Sequence, residues 1–368
     1  MIMVGYKQIL VVKETHEGES RVALTPTTVA VLVKKHYQVL VETDAGLKAG
    51  FTNDEYINAG AKIFSLTSSG FPSNTFIVRI HRPSKARRLI ENKNFHENIA
   101  MLGFLSPFVA DDHIAAWQEL GITTLSFDLF KSLSINDPKN AQSAMSRIAG
   151  RLAFQDAFKR YRGEQPVKLT VIGTGPAAIS AALEALKHQV PVQVFGRKVQ
   201  HKAELEASGM TYYVLPDADE EVNFIKPHLA EETIVITAAR TSGKKAPLLI
   251  DEESIRLLPH NAVVVDLAVS NGGNVTGSKS DQVINIAKGI SIINVSGYPK
   301  AEPRFSSEAY AQCVVSLIIE IMSPEGDMLF ENDLVQEIWV THEGQRHDSL
   351  YEKFDESEAS SLKLMAKL

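Results

Sequence analysis

The stretch that decides the fold is residues 167–178, which read VKLTVIGTGPAA. Its apolar run stops at Gly173, and an alanine-rich pattern with helical spacing starts after Gly175. A second apolar run, residues 190–195, stops at Gly196. The order strand, tight turn, helix, strand predicts the front of a dinucleotide-binding unit, in which the glycines let the backbone approach a pyrophosphate at the helix N-terminus. The alternative is a packing unit of the same shape that binds no nucleotide.

Composition limits the class of protein. The 368 residues are 44% apolar and 22% charged, which is typical of a globular protein with two domains. A net charge of −6 gives no support for a nucleic-acid partner, and the single cysteine, Cys313, excludes an internal disulfide. No apolar run reaches the roughly 18–20 residues of a membrane helix. Because the first residues also lack the pattern of a signal peptide, the sequence predicts a soluble, cytoplasmic protein.

The rest of the chain alternates short apolar runs with helical patterns, which predicts parallel sheets covered by helices. Strands are predicted near residues 7–13, 37–42, 76–80, 99–105, 123–127, 234–237, 263–267 and 290–295. Helices are predicted near residues 27–35, 52–59 and 111–120, with two longer ones over 136–160 and 307–323. The final segment, 351–368, is weakly patterned and is expected to be a mobile tail or a short docking helix.

The predicted fold class is therefore α/β, with two Rossmann-like domains that each contain a mostly parallel sheet flanked by helices. The long helices are expected to join the domains, and a cleft is expected between them. The first domain is predicted to be discontinuous, with residues 1–135 plus 305–368. The dinucleotide-binding domain is predicted to span residues 136–304.

Further motifs are spread along nearly the whole chain: RVALTP at 21–26, TAA at 237–239, VDLA at 265–268, GGN at 272–274 and GY at 297–298. Together they resemble the family of alanine dehydrogenase and the alpha subunit of NAD(P) transhydrogenase. The last three are closer to the soluble, NAD(H)-binding first part of the transhydrogenase alpha subunit. The resemblance implies the two-domain fold, binding of NAD(H) and a homodimer. It also implies hydride transfer to NADP(H) on a separate subunit, coupled to proton movement by a membrane subunit.

The active-site positions depart from the family pattern. In the transhydrogenase branch, an arginine, a glutamine and an aspartate of one loop hold the two nicotinamides together. The aligned positions here carry Ser132, Asp137 and Asn140. A lysine, a histidine and a catalytic aspartate of alanine dehydrogenases are replaced by His81, Ser106 and Ser270. Only Arg21, which binds the substrate carboxylate in those dehydrogenases, is retained, so no catalytic residue is assigned.

The expected cofactor-binding residues follow predicted strand ends, because open α/β sheets bind their ligands beyond the carboxyl ends of the strands. They are Gly173, Thr174, Gly175, Pro176, Ala177, Gly196, Arg197, Lys198, Thr237, Ala238, Ala239, Asp266, Leu267, Ala268 and Gly297. Of these, Asp266 is expected to orient the backbone and not to act as a catalytic acid.

Residues 196–198 leave the choice of cofactor open. An acidic residue normally ends this strand and accepts hydrogen bonds from the ribose hydroxyls of NAD. Gly196 followed by two cations, Arg197 and Lys198, is the arrangement that accommodates the 2′-phosphate of NADP. The alternative is that both cations are solvated surface charges. NAD(H) is the expected cofactor and NADP(H) is the second candidate, with Gly196→Asp plus Arg197→Ala expected to shift preference toward NAD(H).

Two residues outside the nucleotide domain, Arg21 and His81, are expected to bind a substrate. Arg21 is either a clamp for a carboxylate or phosphate, or a surface arginine paired with Glu14. His81 follows a strand end and an imidazole exchanges protons near neutrality, with a hydrogen-bonded structural role as the alternative. No metal site is predicted, because metal-ligand spacing is missing at His16, His96, His113, His201, His342 and His347.

Three functional hypotheses follow. The first is the nicotinamide-dinucleotide-binding subunit of a proton-translocating NAD(P) transhydrogenase, an oxidoreductase whose membrane and NADP(H)-binding subunits would hold it at the inner membrane. The second is a stand-alone dehydrogenase that acts on an amino or oxo acid held by Arg21 and His81. The third is a nucleotide-binding relative without turnover, which the replaced loop residues favour.

Overall fold

The structure, a computed structural model, describes residues 5–6, 8–66, 70–95, 98–109, 112–240, 245–323 and 325–347. The chain divides into two compact units: the first contains the described residues up to Gln142 and those from Glu302 onward, and the second is Ser143–Ala301. The sequence places the two boundaries at 135/136 and 304/305, so the first unit extends a few residues further at both. The segment 351–368 lies outside the described residues.

The strands are β1 (Gln8–Val11), β2 (Gln38–Glu42), β3 (Lys62–Phe64), β4 (Thr75–His81), β5 (Ile99–Phe104), β6 (Thr123–Ser126), β7 (Leu169–Ile172), β8 (Val192–Gly196), β9 (Thr211–Val214), β10 (Ile234–Thr237), β11 (Val263–Asp266), β12 (Val283–Asn285), β13 (Ser291–Ile293), β14 (Trp339–His342) and β15 (Gln345–Arg346). The helices are α1 (Pro26–Lys34), α2 (Asn53–Asn58), α3 (Lys85–Asn94), α4 (His113–Glu119), α5 (Ala141–Arg160), α6 (Pro176–Lys187), α7 (Lys202–Ala207), α8 (Glu221–Ile225), α9 (Glu252–Leu257), α10 (Pro303–Ile321) and α11 (Asp333–Ile338).

The sheet of the first unit has, within the described residues, the strand order β15-β14-β6-β5-β4-β1-β2-β3. Its strands pair in parallel from β6 to β3, whereas β14 and β15 form an antiparallel edge. Strands β4 and β5 are buried almost throughout, as expected for parallel strands covered on both faces. The antiparallel edge was not predicted, because residues 339–346 mix aromatic, polar and basic side chains without a clear alternation.

The two long predicted helices are both present, with shifted starts. Helix α5 begins at Ala141 and not at 136, because Asn140 donates from its backbone to the Asp137 carbonyl (3.0 Å) and from its side chain to the Ser134 carbonyl (3.0 Å) in a preceding turn. Helix α10 begins earlier than predicted, with Pro303 in its first turn, where proline's missing N–H costs nothing.

The sheet of the second unit has the described strand order β12-β13-β11-β10-β7-β8-β9, parallel except for β12. Read in the opposite direction, this is the 3-2-1-4-5-6 order of dinucleotide-binding sheets with one added edge strand. The order reverses between β7 and β10, and ligands bind beyond the strand ends at such a point. The predicted α/β class with two mostly parallel sheets flanked by helices is confirmed.

Small residues bring helices close to this point of the second unit. Helix α6 buries Ala178, Ala181, Ala182 and Ala185. On α5, Gly150 lies so close to α6 that an added Cβ would overlap the carbonyl oxygen of Ala177. The close approach of α5 therefore fixes the start of α6, which is the end that faces the glycine turn.

Candidate functional site

The glycine turn (Gly173–Ala177) joins β7 to α6. Gly173 has φ +123°, a conformation that other residues rarely adopt, and its N–H donates to the Phe195 carbonyl at 2.8 Å. A Cβ at this position would also lie 3.2 Å from the Ala238 carbonyl group. The turn thus requires glycine at 173 for both conformation and space, and the same contacts hold it against β8 and the end of β10.

At Gly175, in contrast, neither the backbone conformation nor the packing of the protein requires glycine. It is the N-cap of α6 with ordinary extended angles (φ −77°, ψ 175°), and a Cβ there would meet no protein atom within 4 Å. The first backbone N–H groups of an α-helix have no intrahelical partner, and a glycine at the N-cap supplies no side-chain acceptor for them. The turn consequently presents open space in front of unpaired N–H groups, which fits the pyrophosphate of a dinucleotide.

Neighbouring strand ends complete this edge. The Ala238 N–H donates to the Ile172 carbonyl (2.9 Å), and the Leu267 N–H donates to the Thr237 carbonyl (2.8 Å). These bonds align the ends of β7, β10 and β11, which are neighbours in the sheet. The structure therefore brings the predicted residues at 173–177, 196–198, 237–239 and 266–268 to one edge.

Asp266 organises the loop that follows β11. Its side chain is fully buried, and its Oδ1 accepts from the Ala268 N–H (2.9 Å) and the Thr237 hydroxyl (3.3 Å). Its Oδ2 accepts from the backbone N–H groups of Asn274 (2.9 Å) and Val275 (3.2 Å). Because both carboxylate oxygens are occupied by the protein, Asp266 orients backbone, as the sequence suggested, and does not face a ligand.

Two asparagines that the sequence did not assign to the site join its loops. The Asn274 Oδ1 accepts from the Ala239 N–H (3.1 Å), and its Nδ2 donates to the carbonyls of Ala239 (3.0 Å) and Pro247 (2.7 Å). The Asn294 Nδ2 donates to the Asp266 carbonyl at 2.7 Å. Both asparagines are buried, so their amides act as cross-links between segments that are distant in sequence.

Gly297 lies in the turn after β13, and its carbonyl accepts from the Lys300 N–H at 2.8 Å. The adjacent Tyr298 is buried and donates its hydroxyl hydrogen to Asp156 Oδ2 of α5 at 3.0 Å. This bond ties the turn to α5, which also supports the start of α6. Burial, together with the charge of Asp156, raises the pKa of Tyr298.

At the end of β8, Gly196 is required by its neighbours. A Cβ there would lie 2.7 Å from the hydroxyl of the buried Tyr212 and would overlap the methyl group of Thr174. The Tyr212 hydroxyl is fixed, because it donates to the Lys198 carbonyl at 2.9 Å. Gly196→Asp would therefore have to displace the ends of the Thr174 and Tyr212 side chains, and the shift toward NAD(H) expected of Gly196→Asp with Arg197→Ala stays a prediction.

Arg197 is not an ordinary solvated charge. Its Nε and Nη2 donate to Glu221 Oε1 (2.6 Å) and Oε2 (3.0 Å), and the side chain of Glu221, the first residue of α8, is only 1% exposed. The pairing with Glu221 raises the pKa of Arg197. The Lys198 side chain is exposed, as one of the two sequence interpretations expected. Glu221 was not foreseen, because nothing near it in the sequence marks it as the partner of a residue on another element.

In the first unit, Arg21 and His81 belong to one cluster with Glu14 and Glu19, called here the Arg21 cluster. Arg21 is 5% exposed, and its Nε and Nη2 donate to Glu19 Oε1 and Oε2, both at 2.7 Å. Arg21 is thus buried and its partner is Glu19, so the interpretation as a surface arginine paired with Glu14 is wrong. Burial tends to raise the pKa of Glu19, but the hydrogen bonds from Arg21 and His81 and the Arg21 charge lower it well below its usual range.

His81 lies between the two charges of this pair. Its Nε2 is 3.1 Å from Arg21 Nη2 and 3.3 Å from Glu19 Oε2, and its side chain is 33% exposed. A protonated Nε2 donates to Glu19, whereas an unprotonated Nε2 accepts from Arg21. His81 Nε2 therefore has a hydrogen-bond partner in either tautomer, and His81 is the member of the cluster that a small molecule can reach.

Glu14 supports the strand end that carries His81. Its Oε1 accepts from the Ile80 N–H at 2.6 Å and its Oε2 from the His81 N–H at 3.4 Å. Burial raises the pKa of Glu14, with the positive charge of Arg79 opposing that effect. Arg79 itself donates to Glu91 at 2.8 Å. The cluster is therefore held by backbone contacts as well as by ion pairs.

The loop at 132–140, where the transhydrogenase residues are replaced, is bonded to the rest of the first unit. Ser132 donates from its backbone to Glu337 Oε1 (2.8 Å) and from its hydroxyl to Glu337 Oε2. Lys139, between Asp137 and Asn140, pairs with Glu320 at 2.9 Å. The residues present therefore hold the loop to α10 and α11.

The two serines at alanine dehydrogenase positions also have protein partners. Ser106 donates from its backbone to Asp128 Oδ2 at 2.8 Å. The Ser270 hydroxyl donates to Asn271 Oδ1 at 3.2 Å. Each serine bonds within or near its own loop, so neither substitution leaves the loop unsupported.

Across the residues that the structure describes, no group of three or more His, Cys, Asp or Glu side chains is arranged to hold a metal ion. None of the described helices combines the length and the apolar character needed to cross a membrane.

Comparison with known proteins adds independent findings. The N-terminal domain model of the alanine dehydrogenase/PNT family matches residues 10–149, and the C-terminal domain model matches residues 157–348. The first part of NAD(P) transhydrogenase subunit alpha from Rickettsia prowazekii (strain Madrid E) is 26% identical over an alignment 368 positions long, which covers 92% of this chain and 95% of that protein. Alanine dehydrogenase 1 of Staphylococcus aureus (strain NCTC 8325 / PS 47) is 29% identical over an alignment 341 positions long, which covers 85% of this chain and 87% of that protein.

The fold is likewise shared with a solved structure. The crystal structure of transhydrogenase from Sinorhizobium meliloti superposes with a TM-score of 0.81 at 24% identity, over 93% of this chain and 99% of that one. The resemblance seen in the sequence motifs is therefore confirmed by the family models and by the fold. The chain belongs to the alanine dehydrogenase/PNT family, a family of NAD(P)-dependent oxidoreductases.

Proposed function

We propose that this chain binds a nicotinamide dinucleotide at the glycine turn of its second unit and serves as the NAD(H)-binding alpha-type subunit of an NAD(P) transhydrogenase. The observation that carries the proposal is the open space at Gly175 in front of the α6 N-terminus, at the point where the strand order reverses. Space for a ligand and unpaired N–H groups coincide there, whereas the surrounding strand ends are closely packed.

The residues of the turn would act by position. Gly173, Thr174, Gly175, Pro176 and Ala177 would carry the backbone that receives the pyrophosphate. The aligned strand ends at 237–239 and 266–268, with Gly297 in the turn after β13, would support the rest of the dinucleotide. Asp266, Asn274 and Asn294 would keep these loops in place through the hydrogen bonds described above. When bound, the nicotinamide supplies the hydride chemistry, and the protein supplies orientation and exclusion of water.

The transhydrogenase assignment rests on the extent of the similarity. The chain covers 95% of the Rickettsia prowazekii relative, so no large segment of that protein lacks a counterpart here. With this assignment, hydride would pass between NAD(H) on this chain and NADP(H) on a separate subunit, and a membrane subunit would couple the transfer to proton movement. The chain would then be a cytoplasmic homodimer that lies at the inner membrane through its partners.

A stand-alone dehydrogenase is the second candidate, and the Arg21 cluster favours it. The accessible imidazole of His81 lies beside the buried Arg21–Glu19 pair, with its Nε2 within hydrogen-bond distance of Arg21. Such a cluster could hold the carboxylate of an amino or oxo acid and donate a proton to it. The bidentate bond from Arg21 to Glu19 weakens this case, because those two nitrogens are already used.

The binding proposal is tested with Gly175→Leu, followed by the emission of NADH or NADPH during titration with purified protein. The variant is expected to fold, because its side chain enters open space, and to lose about 100-fold or more in affinity, a change of about 2.7 kcal/mol. Ala203→Leu adds similar bulk to the exposed α7 of the same unit and is the matched control. A folded Gly175→Leu variant that binds both dinucleotides like the wild type would refute the site.

The activity proposals are separated by two assays on the full chain. Hydride transfer from NADH to oxidised NADP is measured after addition of NADP(H)-binding and membrane subunits of a transhydrogenase. NADH oxidation by 2-oxo acids with ammonia is measured with the chain alone. Transfer only in the first assay supports the transhydrogenase subunit, and restoring Ser132→Arg, Asp137→Gln and Asn140→Asp together should raise that rate. Turnover only in the second assay supports the dehydrogenase, and none in either, with binding intact, supports a relative without turnover.

A further inference from the structure

We infer that the end of β8 is a binding site for the 2′-phosphate of NADP(H), with Arg197 as the phosphate-binding side chain and the buried Glu221 as the group that positions it. This inference rests on the proposed binding of a dinucleotide at the glycine turn, and it names which dinucleotide the site accepts. A chain with this site would bind NADP(H) as well as the NAD(H) that the proposed function gives to it.

The first step is steric. A carboxylate at the end of β8 is the usual partner of the ribose hydroxyls of NAD. In this chain it is excluded by the packing, because any Cβ at Gly196 meets Tyr212 and Thr174. Tyr212 is buried and its hydroxyl is bonded to the Lys198 carbonyl, so the ring is not free to move aside. The strand end therefore lacks the acceptor that favours a free ribose, and its neighbours maintain that lack.

The second step concerns the Arg197 guanidinium. Two of its nitrogens, Nε and Nη2, donate to the two oxygens of Glu221, which sets the plane of the guanidinium. Its third nitrogen, Nη1, has no partner within the described chain, and the Arg197 side chain is 52% exposed. An arginine fixed along one edge and exposed along the other is prepared for a phosphate, because it loses little conformational freedom on binding.

The third step is the balance of charge. The Glu221 carboxylate compensates one cation, and its side chain is only 1% exposed, so ribose hydroxyls of a bound dinucleotide do not reach it. Lys198 adds a second, exposed cation directly after Arg197. Asp217, Asp219 and Glu220 precede α8 and are exposed, and none of them pairs with Arg197 or Lys198 in the described structure. At the end of β8, Lys198 is therefore a cation without an ion-pair partner in the described structure, and it lies next to the Arg197 guanidinium, which Glu221 holds in place.

These steps lead to one ligand class. A 2′-phosphate is a dianion with three acceptor oxygens, which match the unpaired N–H groups of Arg197 and the Lys198 ammonium. A free 2′-hydroxyl finds no carboxylate at the strand end. The wild-type protein should accordingly bind NADPH at least as tightly as NADH, which is opposite to the preference of a site with an acidic residue at this position.

The test compares dissociation constants of NADPH and NADH for the full chain by fluorescence titration and calorimetry. Arg197→Ala alone would leave Glu221 buried and unpaired, so the main variant is the double change Arg197→Gln with Glu221→Gln, which replaces the ion pair with a neutral pair of similar size. Arg256→Gln with Glu252→Gln removes an exposed arginine–glutamate pair of the same unit and is the matched control. Arg197→Lys is the second variant, because it keeps the charge and loses the two-edged geometry.

The double variant at 197 and 221 should weaken NADPH by about tenfold or more, the equivalent of one charge-assisted hydrogen bond, and change NADH by less than about threefold. Arg197→Lys should fall between it and the wild type, and the control should match the wild type. Raising salt from about 50 to about 500 mM should weaken NADPH more than NADH. A wild-type preference for NADH of tenfold or more, unchanged in the double variant, would overturn the inference while leaving dinucleotide binding intact. Absence of binding of both dinucleotides to the wild type would instead reject the proposed function.

Discussion

The glycine turn and the Arg21 cluster both lie at the carboxyl ends of strands in a parallel sheet, but they differ in whether their polar groups are bonded to the protein. In the glycine turn the α6 N-terminus has no side-chain cap, and a Cβ at its N-cap residue Gly175 would meet open space. In the Arg21 cluster the charged groups of Arg21 and Glu19 bond to each other, and only the His81 ring is partly accessible. Retention of a family residue therefore does not establish that its functional atoms are available, as Arg21 demonstrates.

The comparison also separates two kinds of support. The glycine turn depends on close backbone packing, above all on Gly150 and Gly173. The Arg21 cluster depends on a buried ion pair. Substitutions in the glycine turn should therefore act through steric overlap, and substitutions in the Arg21 cluster through the loss of a counter-ion. The following four predictions are ordered from the largest expected change in the free energy of unfolding to the smallest.

Glu19→Gln should destabilise the first unit by about 3–5 kcal/mol, because it leaves the buried Arg21 charge without its counter-ion. Both tryptophans, Trp117 and Trp339, lie in the first unit, so urea unfolding followed by tryptophan fluorescence reports on that unit alone. The control Glu308→Gln removes one partner of an exposed arginine–glutamate pair in the same unit and should change little. An equally small change for both variants would mean that the Arg21–Glu19 pair does not support the unit.

Gly150→Ala should destabilise the second unit by up to about 3 kcal/mol, because the new methyl group overlaps the Ala177 carbonyl at the start of α6. It should also weaken dinucleotide binding by displacing the α6 N-terminus, although Gly150 does not face the ligand. The measurements are hydrogen exchange of the α6 amides and NADH titration. Lys159→Ala, on the exposed side of α5, is the control and should leave both unchanged, since it shortens a side chain without added contact.

The two units should respond to pH in opposite directions. Burial raises the pKa of Glu232, before β10, to about 7, and its Oε2 has no hydrogen-bond partner among the described residues. Because this folded-state pKa exceeds the unfolded value of about 4.3, the stabilising contribution is complete at low pH and is lost as pH rises through 7. The pKa of Glu19 is lowered, so its contribution is present above the unfolded value and is lost as pH falls.

Glu232→Gln should therefore make the second unit more stable than the wild type at pH 8, by about 1–2 kcal/mol, with a smaller difference at pH 5. Glu231→Gln changes one charge at an exposed position beside it and is the control. Hydrogen exchange of the β10 amides at the two pH values measures the effect. A wild-type β10 whose protection is equal at pH 5 and pH 8 would show that Glu232 titrates in its ordinary range.

Ser132→Ala should have the smallest effect, at most about 0.5 kcal/mol. The loop keeps its contact with Glu337, because the Ser132 backbone N–H donates to the same carboxylate at 2.8 Å. Unfolding followed by tryptophan fluorescence checks this value. A decrease in the free energy of unfolding several times larger would show that this loop, like the Arg21 cluster, is held mainly by a side chain and not by its backbone hydrogen bonds.

The sequence predicts regular elements and the glycine turn well, since these depend on local patterns. The βαβ unit at 167–196 has an apolar run, two glycines and an alanine-rich helix in direct succession, and each acts on its immediate neighbours. The helix starts at Ala141 and Pro303 were misplaced by a few residues, because side-chain bonds in a turn and a first-turn proline decide them. Single contacts of this kind decide where a helix begins, and the periodicity of apolar residues in the sequence does not reveal them.

The contacts that define the candidate site are mostly between distant elements, and there the sequence was insufficient. Glu14 and Glu19 are both near Arg21 in the sequence, and only the path of the intervening loop decides that Glu19 is the partner. The steric reason for Gly196 involves Tyr212 and Thr174, which lie on other elements. Glu221 could not be linked to Arg197 without knowing that the start of α8 packs beside the end of β8.

The discontinuity of the first unit has a consequence for biosynthesis. The β14 strand pairs with β6, and within α10 the Ser307 hydroxyl accepts from the Val22 N–H (2.9 Å) while Tyr310 donates to the Arg79 carbonyl (2.8 Å). These partners leave the ribosome only after the whole of the second unit has been made. The second unit is continuous in sequence and can complete its sheet first, whereas the strands made earliest must wait with an uncovered face and an unpaired edge. During translation the first unit can therefore be completed only after the second, and β6, whose free edge waits for β14, is the strand for which a chaperone would be most needed.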